Sequence, residues 1–215
     1  MVPIRELKTH SILLADDMAL VREGLAAICQ GQPQYRVVGQ CSEGAVALRM
    51  IETQKPDIAV LDLNLPGLSG FEALRRLRLA APDTPILVFS MHSEPIYADR
   101  ALEGGAMGYV SKSAPPDELL AAIDALLRGE TYVEKDIARE ISDGLAQSGD
   151  YLRRLTGRDL EILRLLAEGR TLTEIAQSLG VAYKTIANTC TRIREKLGVR
   201  SLAELVSVTK GLGLA

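Results

Sequence analysis

No apolar run in the 215-residue chain approaches the roughly 18 residues that a membrane-spanning helix needs, so no span is expected. The opening residues, Met1-Val2-Pro3-Ile4-Arg5-Glu6, lack an apolar core followed by a small-residue cleavage site, and no signal peptide is expected. Cysteine is scarce. Cys29, Cys41 and Cys190 stand far apart without metal-site spacing, which suits reduced thiols in a cytoplasm, packed as small core residues. There is no internal repeat and no low-complexity tract. What remains is ordinary for a soluble globular protein, 47% hydrophobic and 25% charged, with room for one large domain or two small ones.

The net charge of −3 hides an asymmetry. Residues 1–149 carry 14 Lys and Arg against 21 Asp and Glu, whereas residues 150–215 carry 11 against 7. An acidic part joined to a basic part suggests that only the C-terminal part meets a polyanion, with plain scatter of surface charge as the alternative.

Short runs rich in Val, Ile and Leu at 11–15, 36–40, 57–61, 86–90 and 107–111 read as strands buried on both faces. Amphipathic helix-length stretches lie between and after them, near 18–29, 43–53, 69–80, 94–103 and 115–128. This alternation predicts an α/β fold, a doubly wound five-stranded parallel sheet, followed by a small all-α domain. From Gly129 to Asp150 the periodicity fades. Ile137, Ile141 and Leu145 could line a short helix, and Gly144, Ser148, Gly149 and Asp150 read as a flexible joint.

In parallel sheets ligands bind beyond the carboxyl ends of the strands. Here the first strand runs into Asp16-Asp17, the third into Asp62, the fourth ends at Ser90, and Lys112 follows the fifth. Three carboxylates a few ångströms apart repel, and one is pushed toward protonation unless a cation neutralises them. Mg²⁺, a hard ion that accepts one or two carboxylates and keeps sites for water and phosphate, answers this. With a metal, a lysine and a hydroxyl aimed at one carboxylate, the favoured chemistry is phosphoryl transfer to it. Asp62 is the best nucleophile. It precedes Leu63-Asn64-Leu65-Pro66-Gly67-Leu68-Ser69-Gly70, a tight loop able to turn a main-chain carbonyl toward the metal.

The set Asp16-Asp17, Asp62 with Pro66-Gly67 and Gly70, Ser90, Tyr109 and Lys112 resembles the receiver domain of response regulators, over about residues 10–128. The resemblance implies that Asp62 accepts phosphate from the phosphohistidine of a sensor histidine kinase. It implies that Asp17, Asp62 and the Asn64 main-chain carbonyl hold Mg²⁺, with Asp16 helping. Ser90 and Lys112 would bind phosphoryl oxygens, and Tyr109 would turn inward when Ser90 moves. Many receivers place proline after the lysine; this chain has Ser113. Haloacid-dehalogenase-type phosphatases are the rival, but they need Asp-x-Asp, and the second position here is Asn64. Met91 and His92 read as packing residues, and His10 as surface.

Residues 155–213 read as four short helices. Thr156-Gly157-Arg158-Asp159 opens the first in a weak capping pattern, and Thr171-Leu172-Thr173-Glu174 is a capping box for the second. The third, near 183–197, should bury Ile186, Cys190, Ile193 and Leu197 and turn Lys184, Asn188, Thr191, Arg192 and Glu195 outward. A capped helix, a glycine turn and a helix with basic and amide groups outward form a helix-turn-helix whose last helix enters the major groove. Asn188 and Arg192 could read bases, while Lys184 and Thr185 anchor phosphates. A helical docking module with solvated charges is the alternative.

Leu155-Thr156-x-Arg158-x-x-Glu161-Ile162-Leu163, Glu168-Gly169, Glu174-Ile175-Ala176, Lys184-Thr185-Ile186 and 196–201 (Lys-Leu-Gly-Val-Arg-Ser) resemble the LuxR-type DNA-binding domain. Joined to a receiver, the chain is similar to the NarL/FixJ class. Relatives often carry Lys or Arg at Ala187 and Thr191, His at Thr189, and Ser at Ala182. The expected organisation is a receiver at 8–128, a linker at 129–150 and the DNA-binding domain at 151–215. The expected function is phosphorylation-dependent transcription control in the cytoplasm, with Mg²⁺ as cofactor and no separate enzymatic substrate. Expected partners are a sensor histidine kinase, double-stranded promoter DNA and a second copy of the chain when active, paired through a last helix near 201–212. RNA polymerase is a further candidate. A variant of this reading has the receiver act through protein contacts, with phosphorylation incidental.

Overall fold

The computed structural model describes residues 9–68, 70–144 and 154–211. Ser69, Leu145, Ser148, Gly149 and Asp150 lie outside the described residues. The chain divides into two compact units, Met1–Met91 with Gly105–Glu134, and His92–Gly104 with Lys135–Ala215.

In the first unit the apolar runs form β1 (His10–Ala15), β2 (Tyr35–Cys41), β3 (Ile58–Leu61), β4 (Ile86–Ser90) and β5 (Gly108–Ser111). Helices α1 (Ala19–Gln30), α2 (Gly44–Gln54), α3 (Gly70–Ala80) and, after the fifth strand, α5 (Pro116–Leu127) separate or follow them; α4 (Pro95–Gly104), between β4 and β5 in sequence, belongs to the second unit. All pairings are parallel, in the order β2-β1-β3-β4-β5 followed by a further strand beside β5. The sheet thus has six strands where five were expected. The sixth, β6 (Tyr132–Val133), lies in the segment read as linker and pairs with β5 through Gly108↔Tyr132 and Tyr109↔Val133. Two residues are too few to show a period in sequence.

Strands β3, β4 and β5 are buried along their whole length, as their mostly apolar runs require, with Ser90 and Ser111 closing β4 and β5. The edge strand β2 instead exposes Arg36 and Gln40. His10, expected at the surface, opens β1, is half-buried and donates its main-chain N–H to Gln34. Ile12, Leu14, Val60, Leu87 and Val110 meet Leu25, Cys29, Ile123 and Leu126 in one apolar cluster. At about 25 cal/mol per Å² of apolar surface removed from water, this burial is the main force holding the sheet and helices together. Burial pushes the Cys29 thiol up to about 11 and raises Cys41 and Cys190 as well, which keeps all three as inert core residues.

The second unit is helical: α4, α6 (Lys135–Gly144), α7 (Gly157–Ala167), α8 (Leu172–Ser178), α9 (Tyr183–Leu197) and α10 (Leu202–Gly211). His92 stacks on the buried ring of Tyr97, centroids 4.0 Å apart. Thr156 and Thr171 each close a full capping box, with Asp159 and Glu174. Ala182, at the N-cap of α9, offers no side-chain oxygen, and the first turn of that helix is uncapped by a side chain. Among the described residues no helix is long and apolar enough to cross a membrane.

Candidate functional site

The register of the sheet brings the strand ends to one edge. Asp62 N–H donates to the Ala15 carbonyl at 2.8 Å, which sets the end of β3 beside the end of β1. Carboxylate oxygens of Asp16, Asp17 and Asp62 lie within 4.8 Å of one another. Asp16 and Asp62 are buried, while Asp17 is exposed at the rim. The Lys112 ammonium sits between the buried pair, 2.7 Å from Asp16 Oδ2 and 2.8 Å from Asp62 Oδ2, and its side chain is only 4% exposed. Asp16 Oδ1 accepts the Met18 N–H at 2.9 Å, which orients Asp16 at the start of α1.

Burial pushes the Asp62 carboxyl above the ordinary carboxylate range; Lys112 draws it back and Asp16 adds to the upward push. Burial works against the Lys112 ammonium, but Asp62 and Asp16 outweigh it and hold its pKa above the usual lysine value. Asp62 Oδ1 is buried without a hydrogen-bond partner. A buried carboxylate oxygen left open, beside two further carboxylates, fits a hard divalent cation.

The loop after Asp62 is drawn tight by glycine. Gly67 has φ +77°, a left-handed conformation that the turn requires. Gly70 donates its N–H to Leu63 at 3.0 Å, and a Cβ there would stand 2.3 Å from Leu63 Cα. Asn64 is half-buried in this turn. Ser90 is fully buried at the end of β4, and its carbonyl accepts the Lys112 N–H at 2.7 Å. The Tyr109 side chain is fully buried in β5. After Lys112, Ser113 donates its N–H to Ser111 Oγ at 3.1 Å and Ala114 donates to the Ser111 carbonyl at 3.0 Å, so Ser111 anchors the turn.

In the helical unit, Lys184, Thr185, Asn188, Thr191 and Arg192 are all exposed on α9, and Ile186, Cys190 and Ile193 are buried on its other side. Leu197 is half-buried. Arg192 Nη2 lies 3.4 Å from Asp159 Oδ1, and Lys196 Nζ lies 2.5 Å from Asp159 Oδ2. Sequence reasoning missed this. The spacing from Thr156 to Asp159 signals a cap, but nothing local signals a partner on another helix. Thr191 Oγ1 donates to the Ala187 carbonyl and accepts from Arg194.

A family profile described as "Response regulator receiver domain" matches residues 12–124, and one described as "Bacterial regulatory proteins, luxR family" matches residues 153–209. The chain belongs to the response regulators. Among curated relatives of this response regulator, the transcriptional activator protein ExaE of Pseudomonas putida is 36% identical, covering 94% of this chain and 97% of that protein. The methanol utilization control regulatory protein MoxX of Paracoccus denitrificans is 38% identical, covering 91% and 88%. Among solved structures, RcsB of Salmonella enterica serovar Typhimurium, bound to a promoter in the presence of phosphomimetic BeF3−, superposes with a TM-score of 0.74 at 26% identity, covering 93% and 99%. With both domains in one chain, this response regulator has the makeup of a phosphorylation-dependent DNA-binding transcriptional regulator.

Proposed function

We propose that Asp62 is the phosphoacceptor of this response regulator and that a sensor histidine kinase is its donor. The observation that carries this reading is the position of Lys112, buried and bonded to Asp62 Oδ2 while Asp62 Oδ1 is left without a partner. An Asp62 oxygen attacks the phosphorus of the donor's phosphohistidine, the N–P bond breaks, and the imidazole leaves. Lys112 exchanges its contact with Asp62 for one with a phosphoryl oxygen, and the Ser90 hydroxyl takes another. Asp17, Asp62 and the Asn64 main-chain carbonyl would hold Mg²⁺, with Asp16, already committed to Lys112 and Met18, helping from behind. The ion would neutralise charge on the phosphoryl oxygens. There is no separate substrate: the regulator takes up and loses its own phosphoryl group.

Movement of Ser90 toward that group, repacking a Tyr109 ring that already lies inside, would then shift the balance between two states and free the basic module to bind promoter DNA. In that module Lys184 and Thr185 would contact phosphates, and Asn188, Thr191 and Arg192 would face the bases. The active form would be a homodimer paired through α10, working in the cytoplasm, with RNA polymerase as a further partner. Incubating the protein with a radiolabelled acyl phosphate and Mg²⁺ tests the acceptor. Asp62→Asn should keep the fold and lose uptake; normal uptake by that variant would remove Asp62 from the role.

A further inference from the structure

The two-residue strand β6 ends at Val133, and the main-chain N–H of the next residue, Glu134, donates to the Tyr109 carbonyl at 3.0 Å. In an evenly spaced parallel ladder the next bond would run from the Ser111 N–H to the Glu134 carbonyl. The chain instead enters α6 at Lys135, and the Glu134 carboxylate takes that place: Ser111 N–H donates to Glu134 Oε2 at 2.7 Å. Ser111 is fully buried, so its N–H would otherwise be left unsatisfied at a cost of about 1–3 kcal/mol.

The next residue is Lys112. Its N–H is held by the Ser90 carbonyl on one side of β5, and Ser111 is held by Glu134 on the other. The main chain under Lys112 is therefore clamped between β4 and β6, and its side chain spans to Asp16 and Asp62.

From this we infer that Glu134 is a positioning residue for phosphoryl transfer: by holding the Ser111 amide it fixes the main chain from which Lys112 reaches Asp62. The inference rests on the reading of Asp62 as acceptor. It also makes the residue just after β6 part of the apparatus that sets Lys112.

The test uses the full chain with acetyl phosphate and Mg²⁺. Glu134→Ala should slow uptake roughly tenfold, because small displacements of a positioned group lower rates steeply. Glu134→Gln keeps an acceptor oxygen at the same reach and should restore most of the rate. In a Lys112→Ala background, Glu134→Ala should have little further effect, since residues acting through one another are not additive. An unchanged rate in Glu134→Ala, or the same slowing with and without Lys112, overturns the inference. Should Glu134→Ala fail to fold, Glu134→Asp, one methylene short, carries the test. If the wild-type chain takes up no phosphate, the acceptor reading fails, and the Lys112 ammonium resonance decides the inference. Its protection from exchange should fall in Glu134→Ala and persist in Glu134→Gln; no change in either overturns it.

Discussion

Asp159 and Lys196, 37 residues apart in sequence, meet at 2.5 Å and tie the start of α7 to the end of α9. The same carboxylate accepts the Thr156 N–H at 2.9 Å, so one buried group serves a helix cap and an ion pair together. Asp159→Ala should destabilise the helical unit by about 3 kcal/mol, through loss of the capping box and the unpairing of Lys196. Urea denaturation followed by circular dichroism measures this. Burial alone would raise the Asp159 carboxyl, but Lys196 and the Thr156 N–H hold it below the ordinary range. Its contribution is therefore present in full above the unfolded-state value of about 3.9 and is lost as pH falls through the lower folded value. Asp159→Asn should flatten that part of the acid denaturation curve; an unaltered curve would show that the pair contributes nothing.

Removing the cation from the acidic cluster has a different signature. Lys112→Ala leaves Asp16 and Asp62 facing each other without neutralisation, and the first unit should lose about 3 kcal/mol in metal-free buffer. Millimolar Mg²⁺ should recover much of that loss, since a ligand bound only by the native state stabilises it. Denaturation midpoints with Mg²⁺ and with a chelator give the comparison. A midpoint indifferent to Mg²⁺ would argue against a cation among these carboxylates.

Gly70→Ala places a methyl 2.3 Å from Leu63 Cα and 2.7 Å from the Asp62 carbonyl oxygen, both main-chain atoms that cannot swing aside. The loop carrying Asp62 must shift, and a loss of about 2 kcal/mol or more is expected. Phosphoryl uptake should fall further than stability alone explains. A variant with unchanged uptake would mean the loop's path does not set the acceptor.

On α9 two exposed side chains should separate affinity from sequence reading. Lys184→Ala should weaken binding to all duplexes alike and lower the slope of log K against log salt by about 0.9. Asn188→Ala should cost about 1–3 kcal/mol at one base pair and relax preference there. Binding isotherms over a salt series, with matched and single-substituted duplexes, distinguish the two. A salt-independent response would favour a protein-docking module.

The sheet was legible because strands buried on both faces must be mostly apolar, and β3, β4 and β5 are, up to the serines that close β4 and β5. The acidic cluster was legible for a related reason: strand ends in a parallel sheet converge, so Asp16, Asp17, Asp62 and Lys112 could be placed together before any coordinates. Exposure of Lys184, Asn188 and Arg192 followed from helical spacing alone. What escaped were contacts between groups with no periodic relation. Arg192 turned out to share Asp159 with Lys196, a link between separate helices. Glu134 carried no local signal, because a side chain standing in for a main-chain acceptor leaves no pattern in the residues around it.

The short strand β6 bears on how such regulators can be recombined. A swap that cuts after α5 and splices on a foreign output module would remove an edge of the sheet and strip Ser111 of its acceptor. Joining after Glu134 keeps both. Hybrids made at the two junctions would differ in their input half, though every residue of the acidic cluster is common to them.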